Sequence, residues 1–127
     1  MTSTFLVPVM ASGYFVSMVA AESGWDVPAE FHVAVDVTTE PPLVTVWGEL
    51  DLATVAPFRD ALREAIETDP NAIVVDLGHV TFMGSIGIRE LVRIHDGARR
   101  IELRVPQGIV RRALDTAVLP ETFVIVG

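Results

Sequence analysis

A six-residue run in the middle of the chain, AIVVDL at Ala72–Leu77, constrains the fold more than any other segment. It follows the turn-forming residues Asp69-Pro70-Asn71 and is almost continuously apolar. Such a run is typical of a strand covered on both faces, either by helices on both sides or by helices on one side and loops on the other. The run therefore indicates an α/β domain with parallel strands.

The segments around this run alternate between strand and helix patterns. Apolar residues at every second position predict a hairpin of two strands, Phe31–Val37 and Leu43–Leu50, joined by Glu40-Pro41-Pro42. The later elements are three helices, from Val55 to Glu67, Ile86 to Gly97 and Gln107 to Ala117, and two further strands, Ile101–Val105 and Thr122–Val126. The order β-β-α-β-α-β-α-β predicts an α/β fold, a mixed sheet with helices packed mainly on one face.

Hydroxyl residues stand before the first two helices. Thr54 and Ser85 are the expected N-caps. Helical spacing predicts that the first helix buries Val55, Phe58, Leu62 and Ile66, and the second Ile88, Leu91, Val92 and His95. The charged residues between them, Glu90 included, are expected to face solvent.

Residues 1–30 differ in composition from residues 31–127. The segment Phe5 to Ala21 is apolar but interrupted by Pro8 and Gly13, and no Arg precedes Arg59. It therefore lacks the charged start of a secretory signal and is too short and broken for a membrane span. We expect residues 1–30 to be a poorly ordered extension or a non-native start, or else an added strand or helix, and residues 31–127 to form one domain.

Composition removes several function classes. The chain has no Cys and no Lys, which excludes disulfides, cysteine nucleophiles, Schiff-base lysines and Lys-dependent phosphate loops. A net charge of −8 without a basic block argues against nucleic-acid binding. The three histidines do not have helix metal-site spacing, so neither a metal nor a cofactor is expected; they are His32, His79 and His95.

The segment Asp76–Leu91 is the best candidate for function. It places Ser85 at the start of a helix that follows a buried strand, where sites in α/β sheets are commonly found. Ser85 has three possible roles: a helix cap, the acceptor of a phosphate tolerated by the helix N-terminus, or a hydrolase nucleophile. The last role would need His79 or His95 as its base, and no GxSxG surrounds the serine.

Two motifs in this chain resemble those of STAS domains, which include the bacterial anti-sigma factor antagonists. Asp76–Leu91 is similar to their pattern D-L-x-x-V-x-F-M-D-S-S-G-I/L, and GELDL at Gly48–Leu52 is similar to their G-E-L-D turn. The resemblance covers residues 31–127. It implies a non-catalytic cytoplasmic domain, expected to be monomeric, that binds an anti-sigma factor. That partner is typically a serine kinase with the ATPase fold of histidine kinases.

The resemblance also implies which residues meet the partner, and where this chain departs from the family. The expected interface comprises Gly48, Glu49, Asp51, Met83, Gly84, Ser85, Ile86, Gly87 and Arg89, with Arg89 and Arg93 able to meet acidic groups. The family's Asp is Gly84 here, and its usual phosphoacceptor is Ile86, which has no hydroxyl. Switching by phosphorylation is therefore expected to be lost, or else moved to Ser85.

A different function class remains open at this point. The same helix N-terminus could hold a nucleotide or another small anionic ligand, which would make the domain a ligand-sensing STAS module. That alternative predicts a pocket lined by Gly48, Asp51 and Ser85.

Overall fold

The predicted elements form one mixed sheet with three helices. The computed structural model describes residues 9–11, 14–18 and 30–127, with side chains described for residues 30–127. The strands are β1 (Val9–Ala11), β2 (Tyr14–Met18), β3 (His32–Asp36), β4 (Leu43–Leu50), β5 (Ala72–Met83), β6 (Arg100–Arg104) and β7 (Phe123–Val126). The helices are α1 (Val55–Thr68), α2 (Ser85–Arg93) and α3 (Ile109–Thr116).

Within the described residues the strands lie side by side in chain order. Strands β1 to β4 are antiparallel neighbours, whereas β4 to β7 are parallel neighbours connected through the helices. The predicted α/β fold with a mixed sheet is confirmed, including all five strands expected after residue 30.

Two short strands lie within the predicted N-terminal extension. Strand β2 pairs with β3, and β1 pairs with β2. Residues 1–8, 12–13 and 19–29 lie outside the described residues, and the predicted disorder or non-native start of the extension stays a prediction.

The hydrophobic core lies on one face of the sheet. Alternate residues of β3 to β6 belong to it, as do buried residues of all three helices, including Phe58, Leu91 and Leu114. The helices therefore pack on this single face, as predicted. The opposite face carries Trp47 and His79, whose rings stack 5.5 Å apart.

Strand β5 is longer than predicted. It continues through Met83, although the sequence indicated a loop after Leu77. Its register against β4 shifts between Thr45 and Trp47 and again between Gly48 and Glu49, so β5 carries two extra residues in this stretch. Such bulges twist and redirect a strand. They bring the end of β5 directly to the start of α2.

Helix α2 differs from prediction at both ends. Gly84 is its N-cap and Ser85 its first residue, so Ser85 is not the cap. The helix ends at Arg93 rather than Gly97 because the chain turns immediately afterwards. The Arg99 guanidinium donates to the Ile94 carbonyl and thereby satisfies an orphan acceptor at the helix end.

Thr54 is the N-cap residue of α1, as predicted, although its side chain makes no cap hydrogen bond. Strand β7 was expected to be buried, but it is the edge strand, so only Phe123 is buried and Val126 is exposed. In the part of the chain that the structure describes, no helix has the length and apolarity needed to cross a membrane.

Candidate functional site

The last part of β4 is held close to the residues that precede β3. Gly48 has φ +102°, and a Cβ atom there would lie 2.9 Å from the Glu30 carbonyl oxygen. Glycine permits this conformation and this approach because it has no side chain. Gly48, the first residue of the GELDL motif, therefore allows the backbone conformation that leads from β4 into the turn before α1.

The rest of this turn is organised by the buried hydroxyl of Thr54. Its Oγ1 donates to the Glu49 carbonyl at 2.7 Å and accepts from the Asp51 N–H at 3.0 Å. The Asp51 carboxylate in turn accepts from the Ala53 N–H at 3.0 Å. These bonds fix the turn with the Leu52 side chain pointing outward, 77% exposed.

A backbone hydrogen bond joins the two motifs. The Gly84 N–H donates to the Leu50 carbonyl at 2.8 Å, and Leu50 pairs with Met83 in the sheet register. The GELDL turn and the start of α2 are therefore held together at the carboxyl ends of two neighbouring parallel strands. This is the place where sites in α/β sheets are commonly found.

Two residues of the predicted interface lie beneath the surface. Met83 and Gly87 are both buried, and a Cβ atom on Gly87 would approach the Met83 side chain to 3.2 Å. The missing side chain of Gly87 lets α2 lie against Met83, and direct contact of these two residues with a partner stays a prediction.

The outward-facing residues of α2 form a surface, here called the α2 surface. It comprises the exposed residues Ser85, Arg89, Val92 and Arg93 and the partly buried Ile86. Val92 was expected in the core, but it points outward. At the N-terminal end of this surface stands Phe82, which is 47% exposed; its ring lies 3.6 Å from where a Cβ atom of residue 84 would be.

The inner side of α2 is connected to α1 by an ion pair. The Glu90 side chain is 2% exposed and accepts a 2.9 Å hydrogen bond from Arg59 Nη2, while Arg93 Nε lies 3.8 Å away. The hydrogen bond to Glu90 raises the pKa of Arg59 above its ordinary value. The expectation that Glu90 faces solvent is wrong, because an arginine 31 residues away supplies its counter-charge.

The residues required by the two alternative functions, a ligand sensor and a hydrolase, are not brought together at one site. The cleft that contains Gly48 and Asp51 is lined by Glu30, Phe31, Gly48, Glu49, Asp51, Thr54 and Thr81, without Ser85. Its three carboxylates disfavour an anionic ligand. The cleft therefore lacks one residue, Ser85, of the pocket that was predicted for a nucleotide sensor.

His79 and His95, the two candidate bases for Ser85, both contact other side chains. His79 stacks on Trp47, and His95 Nδ1 lies 3.1 Å from the Thr122 hydroxyl. Among residues 30–127, no group of three or more metal-ligating side chains could hold an ion. The arrangement around Ser85 therefore does not support a hydrolase.

The exposure of Leu52, Phe82 and Val92 was not predictable from the sequence. Leu52 belongs to the GELDL motif, but no periodicity shows which side of a turn a residue faces. Phe82 follows the bulged part of β5, where alternation no longer predicts the face. The glycine inside the strand, Gly78, is the available signal for that bulge.

Comparison with known proteins identifies relatives of this arrangement. A STAS domain family model matches residues 32–125. The Anti-sigma-F factor antagonist RsfB of Mycobacterium tuberculosis, in strains CDC 1551 / Oshkosh and H37Rv, is 34% identical over 70 residues. The match covers 55% of this chain and 55% of each relative, so it spans about half the length of these curated relatives.

Two solved structures share the fold. The crystal structure of an anti-sigma factor antagonist from Mycobacterium paratuberculosis superposes with a TM-score of 0.67 at 23% identity, over 78% of this chain and 88% of that one. The anti-sigma factor antagonist SpoIIAA in its unphosphorylated form gives a TM-score of 0.52 at 21% identity, over 75% of this chain and 87% of that one.

Proposed function

The chain belongs to the STAS domain family, and on that premise we propose that it acts as a non-catalytic anti-sigma factor antagonist. In this role it binds an anti-sigma factor in the cytoplasm as a monomer and so regulates transcription. The name of the mycobacterial relative RsfB supports an anti-sigma-F factor as the first partner to test. The partner is proposed to be a serine kinase with the ATPase fold of histidine kinases.

The interface of this proposal is the α2 surface together with the GELDL turn. The main support for this interface is the backbone hydrogen bond between Gly84 and Leu50, which holds the two motifs together. Exposed apolar side chains of both motifs therefore lie in one place. Leu52 and Phe82 are exposed there, and Ile86 is partly exposed. Exposed apolar residues beside polar ones are typical of protein-binding surfaces.

Binding is proposed to be constitutive. The resemblance places the family's phosphoacceptor at position 86, where isoleucine has no hydroxyl. Ser85 lies about 100° further round the helix than Ile86, so its hydroxyl points in another direction. Phosphoryl transfer needs an in-line hydroxyl positioned within about an ångström, which Ser85 does not supply at that place.

The proposal is tested by binding of the full chain to a purified anti-sigma-F factor, measured by biolayer interferometry. Ile86→Asp should weaken binding at least about 30-fold, because it places a charge in an apolar contact. Val118→Asp is the matched control, since Val118 is 95% exposed in the segment between α3 and β7. Equal binding by both variants would contradict the proposed interface.

Failure to bind must be tested against more than one partner. The panel therefore includes every anti-sigma factor encoded in the genome that carries this chain. If none of them binds the folded full chain, with or without ADP, the proposed function is wrong.

A further inference from the structure

The charges of the α2 surface differ from those of the whole protein. The chain carries a net charge of −8, yet the exposed charged side chains of this surface, Arg89 and Arg93, are both cationic. Residues four apart lie on the same side of a helix, so these two guanidinium groups are neighbours. The α2 surface is thus a locally positive area on an acidic protein.

The two arginines differ in how far their charge is neutralised. Arg93 shares the Glu90 carboxylate with Arg59, which is closer to it. Arg89 forms no ion pair with any residue between 30 and 127. Arg59 and Arg93 share the single Glu90 carboxylate, and Arg89 has no counter-charge among residues 30–127. This area therefore carries more positive than negative charge.

The charged and apolar groups alternate on the same helix face. Arg89 stands three residues after Ile86 and three before Val92, the spacing at which helical side chains adjoin. A partner that covers the apolar groups must also bring its own atoms close to the Arg89 guanidinium. Burying that cation without a counter-charge would oppose binding.

We propose that the α2 surface selects a partner whose docking site places a carboxylate against Arg89, so that Arg89 determines specificity. The inference rests on the proposed function, because it names the chemistry required of the anti-sigma factor at that interface. An acidic site on the partner would be repelled by the net charge of −8 that the chain carries and attracted by the exposed arginines of this helix. The charge pattern therefore orients the complex as well as strengthening it.

The test is the association rate constant of the full chain with a purified anti-sigma-F factor, measured at about 0.05 M and 0.5 M salt. Arg89→Glu should slow association about tenfold at low salt, and the difference should shrink at high salt as the charges are screened. Arg112→Glu is the matched control, because Arg112 is an exposed α3 arginine that forms no ion pair in residues 30–127. Both variants change the net charge equally.

The outcomes separate this inference from the function on which it rests. Slowing by Arg89→Glu but not by Arg112→Glu, recovered when a partner carboxylate is changed to arginine, supports the inference. Equal rates for the two variants, or faster association of Arg89→Glu, overturn it while the proposed function stands. If the wild-type chain forms a dimer that Arg89→Glu dissociates, the occupant is a second copy and the inference is wrong. If the wild-type chain binds no anti-sigma factor, the proposed function fails first.

Discussion

Removing the buried carboxylate of Glu90 should destabilise the domain measurably. Its side chain is 2% exposed and lies 2.9 Å from Arg59, whose own side chain is 37% exposed. Breaking a fully buried ion pair costs about 3–5 kcal/mol, but solvent can rehydrate the partly exposed guanidinium. We therefore expect Glu90→Gln to lower the free energy of unfolding by about 2 kcal/mol, equivalent to a decrease in Tm of about 10 °C.

The assay is urea unfolding of Glu90→Gln, Arg59→Gln and the double variant, followed by circular dichroism. The coupling energy between the two residues should be about 1 kcal/mol, because the single variants each remove the same interaction. The control pair is Asp60 and Arg63 on α1, which are 3.1 Å apart but more exposed. Their coupling energy should stay below about 0.5 kcal/mol.

Two results would contradict a stabilising role for the buried Glu90 carboxylate. A loss of less than about 0.5 kcal/mol in Glu90→Gln would mean that the buried carboxylate is not compensated by its arginines in the way the geometry indicates. A coupling energy no larger than that of the control pair would mean that burial adds nothing to the interaction.

Three further changes probe the turns and the exposed surface. Gly48→Ala should lose about 1–3 kcal/mol in urea unfolding, since its Cβ would meet the Glu30 carbonyl at a φ of +102°; an unchanged midpoint would contradict this. Leu52→Asp should weaken anti-sigma factor binding about tenfold or more, while unfolding changes by less than about 0.5 kcal/mol, and full-strength binding would exclude Leu52 from the interface. Backbone hydrogen bonds from Arg99 and Ala98 lower the pKa of Asp96, so its carboxylate stabilises the fold above the unfolded pKa of about 3.9. Asp96→Asn should therefore be less stable than wild type at pH 7, and the difference should shrink as pH falls below about 3.9 and vanish below the lower pKa of the folded state; a difference independent of pH would contradict this.

The fold was predictable because its signals are local. Alternating apolar residues in β3 and β4, helical spacing in α1 and the apolar run at the start of β5 each follow from short-range periodicity. The ends of elements were less predictable. Strand β5 extends past Leu77 because bulges let it continue beside β4, and bulge positions depend on both strands.

The site was predictable where its residues belong to motifs and not where they depend on distant partners. Ser85, Ile86 and Arg89 lie on the α2 surface, and Gly48 has a positive φ near the end of β4, just before the turn of its motif. Glu90 looked like a solvent-facing charge because its main partner, Arg59, belongs to another helix. The hydroxyl of Thr54 likewise bonds within a turn whose shape only the folded chain defines.

The most distinctive property proposed for this protein is binding that phosphorylation cannot switch off. The most direct test is to incubate the full chain with its kinase-type anti-sigma factor in ADP or ATP, and to measure phosphate by mass spectrometry and the complex by size exclusion. Ile86→Ser is the positive control, because it restores a hydroxyl at the position that family resemblance assigns to the phosphoacceptor. We expect the wild-type complex to stay unphosphorylated and to survive ATP, whereas Ile86→Ser should gain phosphate and dissociate. Phosphate on Ser85 together with ATP-dependent release of the wild-type chain would contradict constitutive binding.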